Sequence, residues 1–264
     1  MPTRRLGAIG ALTLLTTAAS AWADEPPKDE DTHERYPIRF VERPLTLPRH
    51  GLVAGFAIPV ATAPGRLGRT ERAVGFAAGG SFGVSDDFEV SASPVVLQLA
   101  PELLLGDATL AARYRFRGND AIEVASTLRL KLPFQEALVA TPQVNVRIHA
   151  GDVFALDTGA LLEFRFSNPS IIAFGVPIRP TLQLGDHVFV GLDSALLIAT
   201  LDLPVDSIIV PLAVSAGVSV GDDRPVADLR ATVEFPLFWI PAADDSLVTE
   251  LYVLRVTASF YFFL

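Results

Sequence analysis

From Leu251 to Leu264 the chain reads LYVLRVTASFYFFL, and its apolar residues fall on every second position. Tyr252, Leu254, Val256, Ala258, Phe260, Phe262 and Leu264 form one row, while Arg255, Thr257, Ser259 and Tyr261 belong to the other. Side chains alternate faces along a β-strand, so this pattern puts hydrocarbon on one side and polar groups on the other. The same period of two recurs upstream. Ile122, Val124, Leu128 and Leu130 share a face opposite Glu123, Ala125, Thr127, Arg129 and Lys131. Val144, Val146 and Ile148 oppose Gln143, Asn145, Arg147 and His149, and Leu229, Val233 and Phe235 oppose Asp228, Arg230, Thr232 and Glu234.

Polar turns separate these runs at even intervals. They are centred on Gly83, Gly118, Gly151, Gly185 and Gly221, each with Asp or Asn close by. Glycine with Asn or Asp between alternating apolar runs is a hairpin signal. A period near 34 also marks helical repeat arrays, but the flanks here lack 3.6-residue spacing and are rich in Val, Phe and Thr. A second set of connections is expected at 61–72, 100–107, 133–137, 167–170, 202–206 and 240–247. The count predicts about twelve strands of 11–14 residues, beginning near His50, which is enough to cross a bilayer. The predicted fold class is therefore all-β, a closed antiparallel up-and-down transmembrane β-barrel over 50–264. A soluble sandwich also alternates, but it does not explain the even strand number, the matched lengths or the aromatic final strand.

Composition sharpens this in three ways. Half the residues are hydrophobic, yet beyond the first 23 no run approaches the 18 needed for a membrane helix. The net charge of −9 disfavours nucleic acid as a partner, and the absence of cysteine removes disulfides and thiolate metal sites. At the start, Arg4 and Arg5 precede an apolar run to Ala19, and Ala21-Trp22-Ala23 offers small residues for cleavage. Residues 1–23 thus read as a secretory signal peptide. The charged, proline-containing stretch 24–49 reads as a disordered periplasmic lead-in, too short to form a plug domain inside the barrel.

With the signal, the hairpin period and the end Phe260-Tyr261-Phe262-Phe263-Leu264, the chain resembles a Gram-negative outer-membrane β-barrel from Gly51 onward. The resemblance implies localisation in the cell outer membrane, surrounded by lipid and lipopolysaccharide. It also implies recognition by the barrel-assembly machinery through Phe260, Phe262 and Leu264. The final residue departs from the usual pattern, since Leu264 stands where Phe is common. Barrels of this size include solute channels, a phospholipase and autotransporter translocators.

Chemistry should reside in the inward row. Lumen-lining candidates are Glu89, Arg113, Arg115, Arg117, Glu123, Arg129, Arg147, Asp157, Glu163, Arg179, Asp193, Asp228, Arg230 and Arg255. Acid and base on neighbouring strands form cross-strand pairs, and Arg113 is expected opposite Glu123. Such a lumen fits a passive channel or porin for small polar solutes; the alternative is a structural or assembly-related barrel with an occluded lumen. A lipid-acting enzyme ranks third. His149 and His187 lie beside turns with no serine two residues on, and Ser126 and Ser194 point outward without a histidine. No cofactor is expected. Calcium at the acidic turns Asp86-Asp87 or Asp222-Asp223 is conceivable, although such acids more often bond the local backbone.

Overall fold

A computed structural model describes residues 36–64, 70–119, 121–134, 137–167, 171–200, 208–239 and 251–264. The expected signal peptide, residues 24–35 and most of the connections at 65–69, 201–207 and 240–250 lie outside the described residues.

The strands are β1 (Gly51–Pro64), β2 (Thr70–Ser85), β3 (Phe88–Ala100), β4 (Leu104–Leu105), β5 (Ala108–Gly118), β6 (Ile122–Leu132) and β7 (Val139–Ala150). They continue with β8 (Phe154–Arg165), β9 (Ile171–Leu184), β10 (Val188–Thr200), β11 (Ile208–Val220), β12 (Ala227–Trp239) and β13 (Tyr252–Phe263). β4 is a two-residue pairing within the connection from β3 to β5, where the sequence predicts only a loop. Every long strand is antiparallel to its chain neighbours, and β13 pairs with β1 from Gly51↔Phe263 to Thr62↔Tyr252. Twelve strands thus close into a ring with no free edge, satisfying the backbone without water.

Alternation sets the two faces as expected. Leu254, Val256, Phe260 and Phe262 are exposed on the outside of β13, as are Tyr114 and Phe116 on β5 and Ile178 and Leu182 on β9. The buried Glu123, Ala125 and Thr127 of β6 and Gln183 of β9 point inward. Within the wall, register is where the pattern misleads. The hairpin between β5 and β6 turns around Asn119, whose Oδ1 accepts from the N–H groups of Ala121 and Ile122, rather than around Gly118. A bulge between Arg115 and Arg117 takes back one residue of that shift, which leaves Arg113 facing Thr127 while Glu123 faces Gly118. The expected Arg113–Glu123 pair does not form. Gly151 and Gly185, at φ +68° and +79°, hold left-handed turn positions that a side chain would strain.

The larger difference lies before β1. Residues 36–49 are ordered, and they run through the barrel interior. A short 3₁₀ turn, Phe40–Glu42, is followed by an extended strap, and Tyr36, Val41, Arg43, Leu45, Thr46 and Leu47 are all buried. A lead-in of this length cannot form a domain, but it does not need one. Its alternating apolar and polar residues are complementary to a polar lumen, and Pro44 and Pro48 keep it extended.

Candidate functional site

Strap and wall meet at the end of the barrel that carries the tight turns and the described C-terminal strand end. Strands on every side of the lumen contribute. The Leu45 and Leu47 N–H groups donate to Glu123 Oε2 at 3.0 Å and to Glu89 Oε2 at 2.9 Å. The Val41 N–H reaches Gln183 Oε1 at 3.5 Å, and the Val41 carbonyl lies 2.9 Å from His149 Nδ1. The other nitrogen of His149 sits 3.0 Å from Glu123 Oε1. Arg147 and Arg113 donate to the carbonyls of Arg43 and Leu45. The strap therefore has its backbone groups satisfied by side chains of the wall, as a sheet edge would by another strand.

Arg43 anchors it. Its guanidinium donates to both carboxylate oxygens of Asp228 at 2.5 and 3.1 Å, to Ser219 Oγ at 2.9 Å and to the Tyr261 hydroxyl at 2.9 Å. Arg43 and Asp228 are almost wholly enclosed, with 3 and 8 % of their side chains exposed. Burial works against the Arg43 charge, but Asp228, with Tyr261 and Tyr36, outweighs it and holds the guanidinium above its usual value. The rings of Tyr36, Phe40 and Tyr261 surround the cation within 5.7 Å. Tyr36 also lies against Tyr261 and Phe263, and Phe40 stacks on Phe189 at 4.3 Å. Burial pushes the Tyr36 phenol up to about 12. Docking therefore favours the protonated phenol, an advantage complete below pH 10.0 and lost as pH rises towards 12. An ultraviolet titration of wild type minus Tyr36→Phe should show its transition near 12, whereas a transition near 10 would place the phenol in water.

The turn acids have a role that their sequence context does not show. Arg39 binds Asp186 at 2.6 Å and Asp152 at 2.7 Å, which hold its guanidinium above the usual range. Asp152 is correspondingly held below the ordinary carboxylate range by Arg39. Asp86 accepts from the Arg49 N–H at 2.9 Å, and Asp87 binds Arg115 Nε at 2.9 Å. Three turns thus fasten the strap from its solvent side. Gly83 shows how closely it is seated, since a Cβ there would collide with the Pro48 carbonyl. Gly83→Leu, a change in the wall alone, should expel this corner and raise the modification rate of a single cysteine placed at Leu47. An unchanged rate would mean that Pro48 does not rest on β2.

The sequence candidates divide into three groups. Glu89, Glu123 and Asp228 turn onto the strap, and Arg113 and Arg147 donate to it. Arg147–Asp157, Arg179–Asp193 and Arg255–Glu234 form cross-strand pairs at 2.6, 2.8 and 2.9 Å, while Glu163 lies 3.5 Å from Arg165 of its own strand. Arg115 reaches both Asp87 and Glu123. Arg129 and Arg230 have no hydrogen-bond or ion-pair partner among the described residues; the Arg230 guanidinium lies 5.2 and 5.3 Å from the rings of Phe40 and Phe189. The side chain of Arg117 is outside the described residues. His187 lies 3.0 Å from the Ser219 carbonyl, and Ser194 donates to the Pro211 carbonyl.

Beyond the strap the lumen is not filled. A cavity of about 340 Å³ lies against β1, β2, β3, β5, β6 and β13, where the inward residues are small: Gly55, Ala57, Ala77, Gly79, Ser91, Ser93 and Ala111. Arg129, Thr109, Thr257 and Ser259 complete its lining. A second cavity of about 710 Å³ opens at the turn rim between Glu42, Asp87, Arg115, Asn119 and Asp152.

No protein-family profile and no curated protein matches the chain. Among solved structures it is similar to an outer membrane channel from Pseudomonas putida F1, with 14% identity and a TM-score of 0.52, covering 90% of this chain and 100% of that one. It is also similar to a KdgM porin, with 10% identity and a TM-score of 0.55, over 80% of this chain and 99% of that one. At these identities the likeness concerns the fold. The chain has the closed twelve-stranded β-barrel architecture found among outer-membrane channels and porins.

Proposed function

We propose that this chain resides in the outer membrane as a passive channel for small polar solutes, its turn end closed down by the N-terminal strap. The observation that carries this reading is the cavity of about 340 Å³ beyond the strap. A barrel filled only for stability would put bulky side chains there, since voids weaken packing. This one places glycine, alanine and serine on the inner face of three adjacent strands, beside the Arg129 cation, which gives the path a charge preference. Tight turns face the periplasm in such barrels, so the strap closes the periplasmic mouth and a solute enters from the loop side. Two solved channels with the same fold add support.

A second reading, a barrel with a permanently blocked lumen, is favoured by the strap itself. Refolded full-length protein in planar bilayers separates the two. Small discrete openings are expected, and lasting silence under applied voltage would leave only the blocked barrel. Assembly belongs to the same proposal. Phe260 and Phe262 face outward beside the terminal Leu264, as a lipid-facing recognition strand requires. Removing 260–264 should abolish insertion, read as loss of the heat-modifiable folded band; unimpaired insertion would assign recognition elsewhere.

A further inference from the structure

Arg129 is the feature of the lumen that the strap and the cross-strand pairs do not account for. It projects from β6 into the cavity of about 340 Å³, where no described residue gives it a hydrogen bond or an ion pair. Its electrostatic surroundings are unfavourable. Arg113 and Arg179 repel it, and Glu163, which attracts it, is itself 3.5 Å from Arg165. The Arg129 side chain is exposed to the lumen rather than sealed in the wall, so its guanidinium is open to a solute that enters the cavity. The nearby walls carry hydroxyl groups from Ser91, Thr109, Thr257 and Ser259, and otherwise small apolar groups.

We infer that this cavity is a binding subsite for a small organic oxyanion, its carboxylate held by the Arg129 guanidinium and the facing hydroxyls. The fork of an arginine matches a carboxylate or phosphate with two parallel hydrogen bonds, which a chloride ion cannot reproduce. Hydroxyls on opposite walls can donate to the remaining lone pairs. The methyl groups of Ala57, Ala77 and Ala111 and the bare backbone of Gly79 leave an apolar side suited to a short hydrocarbon portion. The subsite gives the solute path a preferred charge and a place to pause. It rests on the reading of the lumen as such a path.

The test is equilibrium binding, which does not require the strap to open. Full-length refolded protein in detergent is titrated calorimetrically with benzoate, with inorganic phosphate and with neutral benzyl alcohol, at constant ionic strength in chloride. Saturable benzoate binding is expected, with benzyl alcohol weaker. Arg129→Gln should weaken benzoate by about tenfold or more, the loss of a charge-assisted hydrogen-bond pair. Arg129→Lys keeps the charge without the fork and should fall between. Because no described hydrogen bond or ion pair is made by the Arg129 side chain, neither variant should lose the folded barrel, and Arg224→Gln, at a turn outside the cavity lining, serves as the control with unchanged binding. Phosphate binding that shares the Arg129 dependence extends the class to phosphates. Binding that is absent in wild type, or equal in wild type and Arg129→Gln, overturns the subsite. Binding without conductance would keep the subsite and remove the channel; conductance without binding would do the reverse.

Discussion

Deleting residues 36–49 should convert a narrow or silent barrel into one with a several-fold larger conductance. The strap crosses the lumen where Glu123 and Asp228 face it from different sides, so its removal leaves an open mouth lined by those carboxylates. The wall does not depend on it, since the ring closes through β1 and β13 alone. The deleted form should therefore keep its heat-modifiable fold while single-channel current rises. Loss of Arg43, with Asp228, Glu89 and Glu123 left exposed at the mouth, should also shift selectivity there towards cations. An unchanged current would mean that solutes already pass beside the strap, or that another segment closes the path.

The second large effect concerns Arg43. In Arg43→Met the Asp228 carboxylate would be left enclosed, with the Tyr261 hydroxyl, which donates to it at 2.6 Å, but no cation. Breaking a buried pair by removing one partner costs about 3–5 kcal/mol. That should loosen the middle of a strap held otherwise by the Arg39 ion pairs, hydrogen bonds and a few rings. Protease cleavage between 36 and 49 should accelerate strongly in this variant, and conductance should approach that of the deletion. Adding Asp228→Asn removes the stranded charge and should recover part of the docking. If the single and double variants are cleaved at the same rate, the cost lies in lost packing of Arg43 against Tyr36, Phe40 and Tyr261 rather than in charge.

The wall was readable because period-two alternation is a local property. Tyr252 to Leu264 shows its two faces without knowledge of any partner, and the glycine turns fix where each strand ends. Closure followed from the even count. Pair register was less legible: the Asn119 turn and the bulge after Arg115 move Arg113 opposite Thr127, and neither leaves a mark in the apolar pattern. The strap was missed for a different reason. Charge and proline in DEPPKDEDTHERYP suggest disorder, and the prolines at 44 and 48 carry that impression on to Arg49. Yet Val41, Arg43, Leu45 and Leu47 already alternate with other residues in that stretch, and His50 turns the chain at φ 62° into β1. What the local pattern cannot contain is the complement. Glu89, Glu123 and Asp228 come from three distant strands, and their common target appears only once the barrel is closed.

The seats of the strap also impose an order in time. Arg43 needs Ser219, Asp228 and Tyr261 from β11 to β13, while Leu45 and Leu47 need Glu123 and Glu89 from β6 and β3. These two groups of strands come from opposite ends of the barrel sequence, and the seam between β1 and β13 is what joins them. No partial sheet offers both at once. The strap is therefore the last part of the chain to find its place, and its docking reports that the ring has shut. A barrel joined in the wrong register would leave Arg43 without Asp228 and its mouth open.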